Sequence, residues 1–274
     1  MESVPEGNLN YSYKVTKDNK SIFVKLFADR LSFEKRKYRN LRQRYEMEKF
    51  VLQTCNNAGL PTPKLLASLD NYAILVQEHI SGKSLMACFY NKEEPDSTLF
   101  SLGMWIGGFH NLFEIQDQKK QSLYDEYSYI QYLDIHDNTN VVKRFCGLLR
   151  GIIFTKKVLS RSDCHFGNFI ISNSMLYGID FEQCLYQPPG IDLAGIFVSF
   201  LDITEEKLAD DATTEQSISM VDFRHLLDGY KEATGEDYSA IFKPYIATVL
   251  LRKYHKTGRK KFLYYLRQLD NYVS

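Results

Sequence analysis

"LSRSDCHFGNFIISNSMLYGIDFEQC", residues 159–184, is the most informative stretch of this 274-residue chain. Asp163 is followed five places on by Asn168, and twelve further on by Asp180, in a window otherwise rich in Leu, Ile, Phe and Tyr. Apolar runs of this kind build strand cores, where an unpartnered carboxylate is costly. The set suits one kind of chemistry. Phosphoryl transfer from a magnesium-bound nucleotide needs a carboxylate that orients the attacking hydroxyl and accepts its proton, and oxygen ligands for a hard divalent cation. Asp163 is the candidate base, and Asn168 and Asp180 are the candidate metal ligands. The cation would bridge phosphate oxygens and neutralise charge that builds in the transition state.

The window resembles the catalytic segment of the aminoglycoside phosphotransferase and choline kinase group, which has a protein-kinase-like fold. That signature reads H-G-D-x-H-x-x-N, followed by a strand ending I-D-[FW]-[ED]. The chain supplies "RSDCHFGN" and "GIDFE", with Asp163, His165, Gly167, Asn168, Asp180 and Glu182 in register. Arg161 departs, standing where the group has His. The resemblance implies an α+β, bilobal fold: a small antiparallel-sheet N-lobe with one helix, and a larger, mainly helical C-lobe. It also implies ATP and Mg2+, and it extends over about residues 5–200.

Upstream, "NYSYKV" (10–15) and "SIFVKLF" (21–27) are β-rich runs joined by the turn-forming "TKDN", a hairpin pattern. Residues 33–59 read as a helix, with Leu41, Tyr45, Leu52 and Cys55 at helical spacing and Asn56, Asn57 and Gly59 ending it. Strands follow at 61–69 and 72–80. From the resemblance, Lys25 is the lysine on the nucleotide phosphates. Glu48, eleven residues before Gly59, is its partner in preference to Glu46, which lies on another helix face. Alone, either residue would read as solvated; the joint pattern raises them. The polar hairpin "PEGNLNYSYKV" (5–15) would cover the phosphates, approached by Gly7, Asn8 and Asn10. The resemblance also assigns the carbonyl of Glu78 and the amide of Ile80 to adenine, in a segment linking the lobes. Asp192 would brace the catalytic loop, or serve as a plain helix cap.

Past Ser81 the chain reads as mostly helical: 101–113 is an apolar helix whose glycines permit close packing, 120–158 is mixed and helical, and 192–274 is helical, with 220–235 ending at Gly235. A nucleotide-binding lobe over 1–80 and an acceptor-binding lobe over 81–274 follow, the boundary lying within 78–85.

Bulk properties fit a folded enzyme. Hydrophobic residues at 44% supply a core, while 34 basic and 34 acidic residues cancel, so charge argues for neither nucleic acid nor a membrane surface. The five cysteines include no CxxC, and Cys164, His165 and Cys184 match no zinc module. With no apolar leader and no run long enough to span a bilayer, a cytoplasmic protein without an integral membrane segment is expected.

Between Asp180 and Asp192 only residues 181–191 intervene, too few for the activation segment on which protein kinases seat a peptide. From His110 to Asp163 the numbering advances by 53, room for inserted helices that shape an acceptor pocket. A small-molecule hydroxyl is therefore the expected acceptor: an amino sugar, a choline-like alcohol or a sugar. The alternatives are an atypical regulatory protein kinase or ATPase, a lipopolysaccharide-type sugar kinase, and a non-catalytic nucleotide-binding protein. An acidic run (204–215) would attract an amine-bearing acceptor, and basic runs (252–268 and 34–44) an anionic one. Their opposite signs leave the charge of the acceptor open.

Overall fold

The computed structural model describes residues 2–3, 10–18, 20–28, 40–91, 96–210 and 221–272. The chain forms two compact units. One comprises residues 1–91 and 167–185, the other 92–166 and 186–274. The expected single boundary within 78–85 thus differs from the observed division, in which the chain leaves the first unit and returns to it.

The first unit holds a five-stranded antiparallel sheet ordered β1-β2-β3-β5-β4, with β1 Glu2–Ser3, β2 Asn10–Lys17, β3 Lys20–Phe27, β4 Leu65–Leu69 and β5 Ile74–Glu78. Lys17 pairs with Lys20, so β2 and β3 form the expected hairpin. Helix α1 (Leu41–Ala58) packs on this sheet through Tyr45, Val51, Leu52 and Cys55, all buried. Its start is fixed by a reciprocal capping box: Asn40 Oδ1 accepts the Gln43 amide at 2.9 Å, and Gln43 Oε1 accepts the Asn40 amide at 3.2 Å. It ends at Gly59, whose φ of 73° is a left-handed conformation that favours glycine.

A second small sheet belongs to the same unit. Strands β9 (Phe169–Ser172) and β10 (Met175–Gly178) form a tight hairpin, and β6 (Lys83–Ser84) pairs with β9. This pairing, together with the bond from the Gly178 amide to the Pro61 carbonyl at 3.2 Å, ties residues 167–185 to the first unit. Helix α2 (Leu85–Tyr90) completes it.

The second unit is built from α3 (Asp96–Leu112), α4 (Leu123–Glu126), α5 (Ser128–His136), α6 (Asn140–Arg150), α7 (Gly190–Asp210), α8 (Val221–Thr234), α9 (Phe242–Thr257) and α10 (Lys261–Tyr272). Strands β7 (Glu114–Ser122), β8 (Ile153–Ser160) and β11 (Leu185–Gln187) make a sheet ordered β11-β8-β7. The helical reading of 120–158 holds for α4 to α6 and fails for residues 120–122, which end β7, and for β8. In "IFTKKVLS" the lysines and apolar residues fall in no strict alternation, and pairing with β7 holds the segment extended.

Helices α3 and α8 approach closely at glycine. A Cβ on Gly103 would lie 2.1 Å from the Leu226 carbonyl oxygen, closer than atoms can pack. The core of this unit gathers the aromatic residues Phe109, Phe145, Phe197, Phe223, Tyr230 and Phe242. All five cysteines are buried thiols. Among the described residues no helix is long and apolar enough to cross a membrane.

Candidate functional site

In the first unit, β3 turns Lys25 inward, where it is 6% exposed. The spacing of Tyr45, Glu48 and Leu52 puts Glu48 on the buried face of α1, while Glu46 points outward and pairs with Arg42 at 2.5 Å. Lys25 Nζ consequently lies 2.6 Å from Glu48 Oε2. It also lies 2.7 Å from Asp180 Oδ1 and 3.6 Å from Glu182 Oε2. Gln77 Nε2 donates to the second Glu48 oxygen at 3.1 Å.

A second basic residue, Arg44, one turn before Glu48 and 1% exposed, donates to Asn10 Oδ1 at 2.9 Å and to the Ala28 carbonyl at 2.6 Å. It also reaches Glu182 Oε2 at 3.4 Å. Asn10 Nδ2 donates to the same Glu182 oxygen at 2.5 Å. The Asn10 side chain is therefore committed to Glu182 and Arg44. Gly7 and Asn8 lie outside the described residues.

Three carboxylates thus surround two cations. Burial disfavours the Lys25 ammonium, but Asp180, Glu48 and Glu182 outweigh it and raise its pKa. Burial pushes Glu48 up to about 7 although Lys25 opposes it. Asp180 differs from Glu48 in access: its side chain is 47% exposed against 3%. Its φ of 63° is a left-handed conformation, unusual for a residue other than glycine and characteristic of strained functional positions.

Asn168 closes a 3-10 turn, Phe166–Asn168, just before β9. Its carbonyl accepts the Ile179 amide at 3.0 Å, and Phe169 pairs with Gly178, so the hairpin sets Asn168 beside the residue preceding Asp180. Glu48, Asp180 and Glu182 each offer a carboxylate oxygen within 4.8 Å of the others. This donor set is all oxygen and anionic, which fits a hard divalent cation. Glu78 ends β5, and its amide is bonded to the Lys64 carbonyl at 2.9 Å.

In the second unit, Asp163 follows β8. The loop is held from below by Asp192, which is 1% exposed. Asp192 accepts from Ser160 Oγ at 2.6 Å and from the Arg161 amide at 2.9 Å, and lies 3.1 Å from His110 Nε2. His110 Nδ1 is in turn 3.0 Å from the Tyr230 hydroxyl. Burial would raise the Asp192 carboxyl, but these partners outweigh it and hold it below the ordinary carboxylate range. Arg161 is buried, with its guanidinium 5.5 Å from the centre of the Trp105 ring.

Ser162, at the signature's glycine position, has φ 62°. Its amide donates to Ser160 Oγ at 3.1 Å, and its carbonyl accepts Arg252 Nη2 at 3.2 Å. The Asp163 side chain is 78% exposed, with His165 Nε2 3.7 Å from Oδ2. The His165 ring lowers the Asp163 carboxyl, partial desolvation works against it, and the charges of Arg252 and Lys256 add to the lowering.

The structure brings Lys25, Glu48 and Asp180 together and sets Asn168 beside them on the same hairpin, while Asp163 belongs to the other unit. Sequence reading met Arg44 and Arg252 only as members of the basic runs 34–44 and 252–268, left Gln77 and Ser162 unassigned and gave Glu182 no role. A signal for the place of Arg44 was its spacing from Glu48, four residues along one helix face.

No family model and no curated protein sequence matches the chain. Solved structures do. An amicoumacin kinase in complex with AMP-PNP and Ca2+ matches over 99% of this chain and 87% of its own, with a TM-score of 0.61 and 17% identity. A spectinomycin phosphotransferase in complex with ADP and spectinomycin matches over 96% of this chain and 83% of its own, at TM-score 0.56 and 15% identity. A choline kinase from Streptococcus pneumoniae matches over 100% of this chain and 93% of its own, at TM-score 0.55 and 17% identity. At these identities the likeness is one of architecture: this chain has the kinase-like fold of the aminoglycoside phosphotransferases and choline kinases.

Proposed function

We propose that the chain is an ATP- and Mg2+-dependent phosphotransferase acting on a hydroxyl group of a small molecule. The observation that carries this reading is the buried Lys25, held at 2.6 Å by Glu48 and at 2.7 Å by Asp180, in a kinase-like fold. A lysine so placed is fixed by one carboxylate and shared with another that the substrate's cation would claim. Support comes also from the solved structures, which include complexes with AMP-PNP and Ca2+ and with ADP.

In this reading the first unit holds the nucleotide and the second the acceptor. Lys25 binds phosphate oxygens, and Glu48, itself held by Gln77, positions Lys25. Glu182 and Arg44 neutralise each other behind the site and keep Asn10 in place. Asp180 and Asn168 hold the divalent ion, and the Glu78 carbonyl with the Ile80 amide receives the adenine edge. ATP supplies the phosphoryl group, and the ion offsets the charge that builds on it. Asp163, ionised and exposed, orients the acceptor hydroxyl and takes its proton as the oxygen–phosphorus bond forms. A small acceptor is favoured over a protein because only residues 181–191 separate Asp180 from Asp192.

The test is Asp163→Asn. The amide keeps size and polarity but cannot accept the proton, so kcat falls by about 10²–10⁴-fold, while nucleotide affinity measured by titration calorimetry stays within about 2-fold. Near-normal turnover in this variant would remove Asp163 from the role and the mechanism with it.

A further inference from the structure

The sequence leaves the charge of the acceptor open, and the second unit supplies a physical argument on it. Helix α9 presents Arg252 and Lys256, four residues apart and so on one face. Arg252 reaches the backbone beside the proposed base: its Nη2 donates to the Ser162 carbonyl at 3.2 Å. A guanidinium carries five N–H donors. Among the described residues that one hydrogen bond is all Arg252 makes, and it has no ion pair.

Other acids of this unit are already engaged. Glu126 takes Lys157 at 2.9 Å, and Asp202 takes Lys253 at 2.7 Å and Lys261 at 3.1 Å. Asp134 pairs with Arg150, and Asp137 accepts the Tyr254 hydroxyl at 2.8 Å. The side chains of the acidic run 204–215 lie outside the described residues. Around Arg252 stand the Asp163 carboxylate, on which its charge acts, and two aromatic side chains. The same charge acts on the hydroxyls of Tyr127 and Tyr129, which are otherwise pushed up by burial. Tyr127 donates to Gln187 at 3.2 Å and Tyr129 to the Thr248 carbonyl at 3.1 Å, so both rings are fixed. A cationic acceptor brought to Asp163 would meet Arg252, Lys256 and the His165 ring. An anionic one would give Arg252 the carboxylate or phosphate that a planar guanidinium binds best.

Resting on the kinase reading above, we propose that the acceptor is an anion: a small hydroxyl compound that also bears a carboxylate or phosphate ester, bound by Arg252 with help from Lys256. In the transfer, the acceptor oxygen forms its bond to the γ-phosphorus as the bond from that phosphorus to the β,γ-bridging oxygen breaks. ADP leaves, and the hydroxyl proton goes to the Asp163 carboxylate.

The experiment uses the full chain and a fixed panel of probes: gluconate for carboxylate, glucose 6-phosphate for phosphate, 6-phosphogluconate for both, and choline and glucosamine as cations. Binding is measured by calorimetry without nucleotide, and transfer with ATP and Mg2+. Wild type is expected to bind at least one anionic probe and to prefer it to both cations, and the gluconate and glucose 6-phosphate arms separate the two anionic groups. Arg252→Met is expected to weaken that binding, and to raise the acceptor KM, by about 10- to 100-fold. The KM for ATP stays within about 2-fold, and Arg252→Lys restores part of the loss. Lys256 is exposed, so Lys256→Gln tests the same site without risk to folding, with an expected loss of about 3-fold. A preference for choline or glucosamine overturns the proposal, as does no binding of any anionic probe, or equal binding by wild type and Arg252→Met. Arg252-dependent anion binding in a chain that binds no nucleotide sustains the anion site and refutes the kinase reading alone.

Discussion

Asp192 shows how one buried carboxylate can set the geometry of a loop it does not belong to. It collects the neighbours Ser160 and Arg161 on one element and His110 on another, and so fixes the backbone just before Asp163. Its carboxyl is depressed below the ordinary 3.8 in the folded chain. A depressed acid stabilises the fold above its unfolded pKa, and that contribution is lost as pH falls through the folded value. Asp192→Asn is therefore expected to lower stability at pH 7 by roughly 2–3 kcal/mol. The difference should shrink as the pH is taken below about 3.8. Urea melts of both proteins at pH 7 and near pH 3 measure this. A gap that stays constant, or widens in acid, would mean that Asp192 acts by shape alone. Glu48 is the contrasting case. Burial raises it, so as pH rises from about 4.5 toward about 7 the folded chain holds a proton that the unfolded chain has lost, and Glu48 costs stability.

Helix α1 is the element on which the first cluster depends, because Arg44 and Glu48 leave its face one turn apart toward Glu182 and Lys25. Its rotational setting comes from the apolar stripe, and its ends from Asn40 and Gly59. Nothing lies within 4 Å of the position a Cβ would take on Gly59, so Gly59→Ala meets no clash and its cost is conformational. We expect a loss of about 1 kcal/mol by urea denaturation, with Lys25 and Glu48 undisturbed. A loss several times larger would show that the turn after α1 carries packing that a Cβ disrupts. The strand β8 belongs to the same scale: its lysines kept it out of a simple strand pattern, yet Lys156 and Lys157 find acidic partners in Glu114, Glu236 and Glu126, and the segment stays extended in its sheet.

On the scale of the whole chain, the first cluster joins residues 155 apart in sequence, Lys25 and Asp180. The loop that closes it runs out through residues 92–166 of the second unit and back. Contacts of such separation are slow to form and are made only when both segments are folded. They are also where a ligand exerts leverage on folding, since the cluster exists only in the native chain. ATP with Mg2+ at about 100 times its dissociation constant should stabilise the protein by about 2.7 kcal/mol, seen as a raised midpoint in thermal melts. ATP with EDTA should give a smaller rise, because three carboxylates against two cations then face the polyphosphate unrelieved. Equal shifts with and without the metal would argue against cation binding at Asp180.

What the sequence determined by itself was local or periodic. The hairpin of β2 and β3, the stop at Gly59, and the buried face of α1 that separates Glu48 from Glu46 all follow from backbone preference and helical spacing. The spacing of Asp163, Asn168 and Asp180 was also legible, because a tight hairpin brings the last two together over a few residues. The tertiary structure alone decided which charges share a burial site. Arg44 with Glu182, Asp192 with His110, and Arg252 beside Ser162 come from separate elements. No periodicity links them; they meet because burying a charge is costly until an opposite charge or a donor, carried in by another element, stands against it.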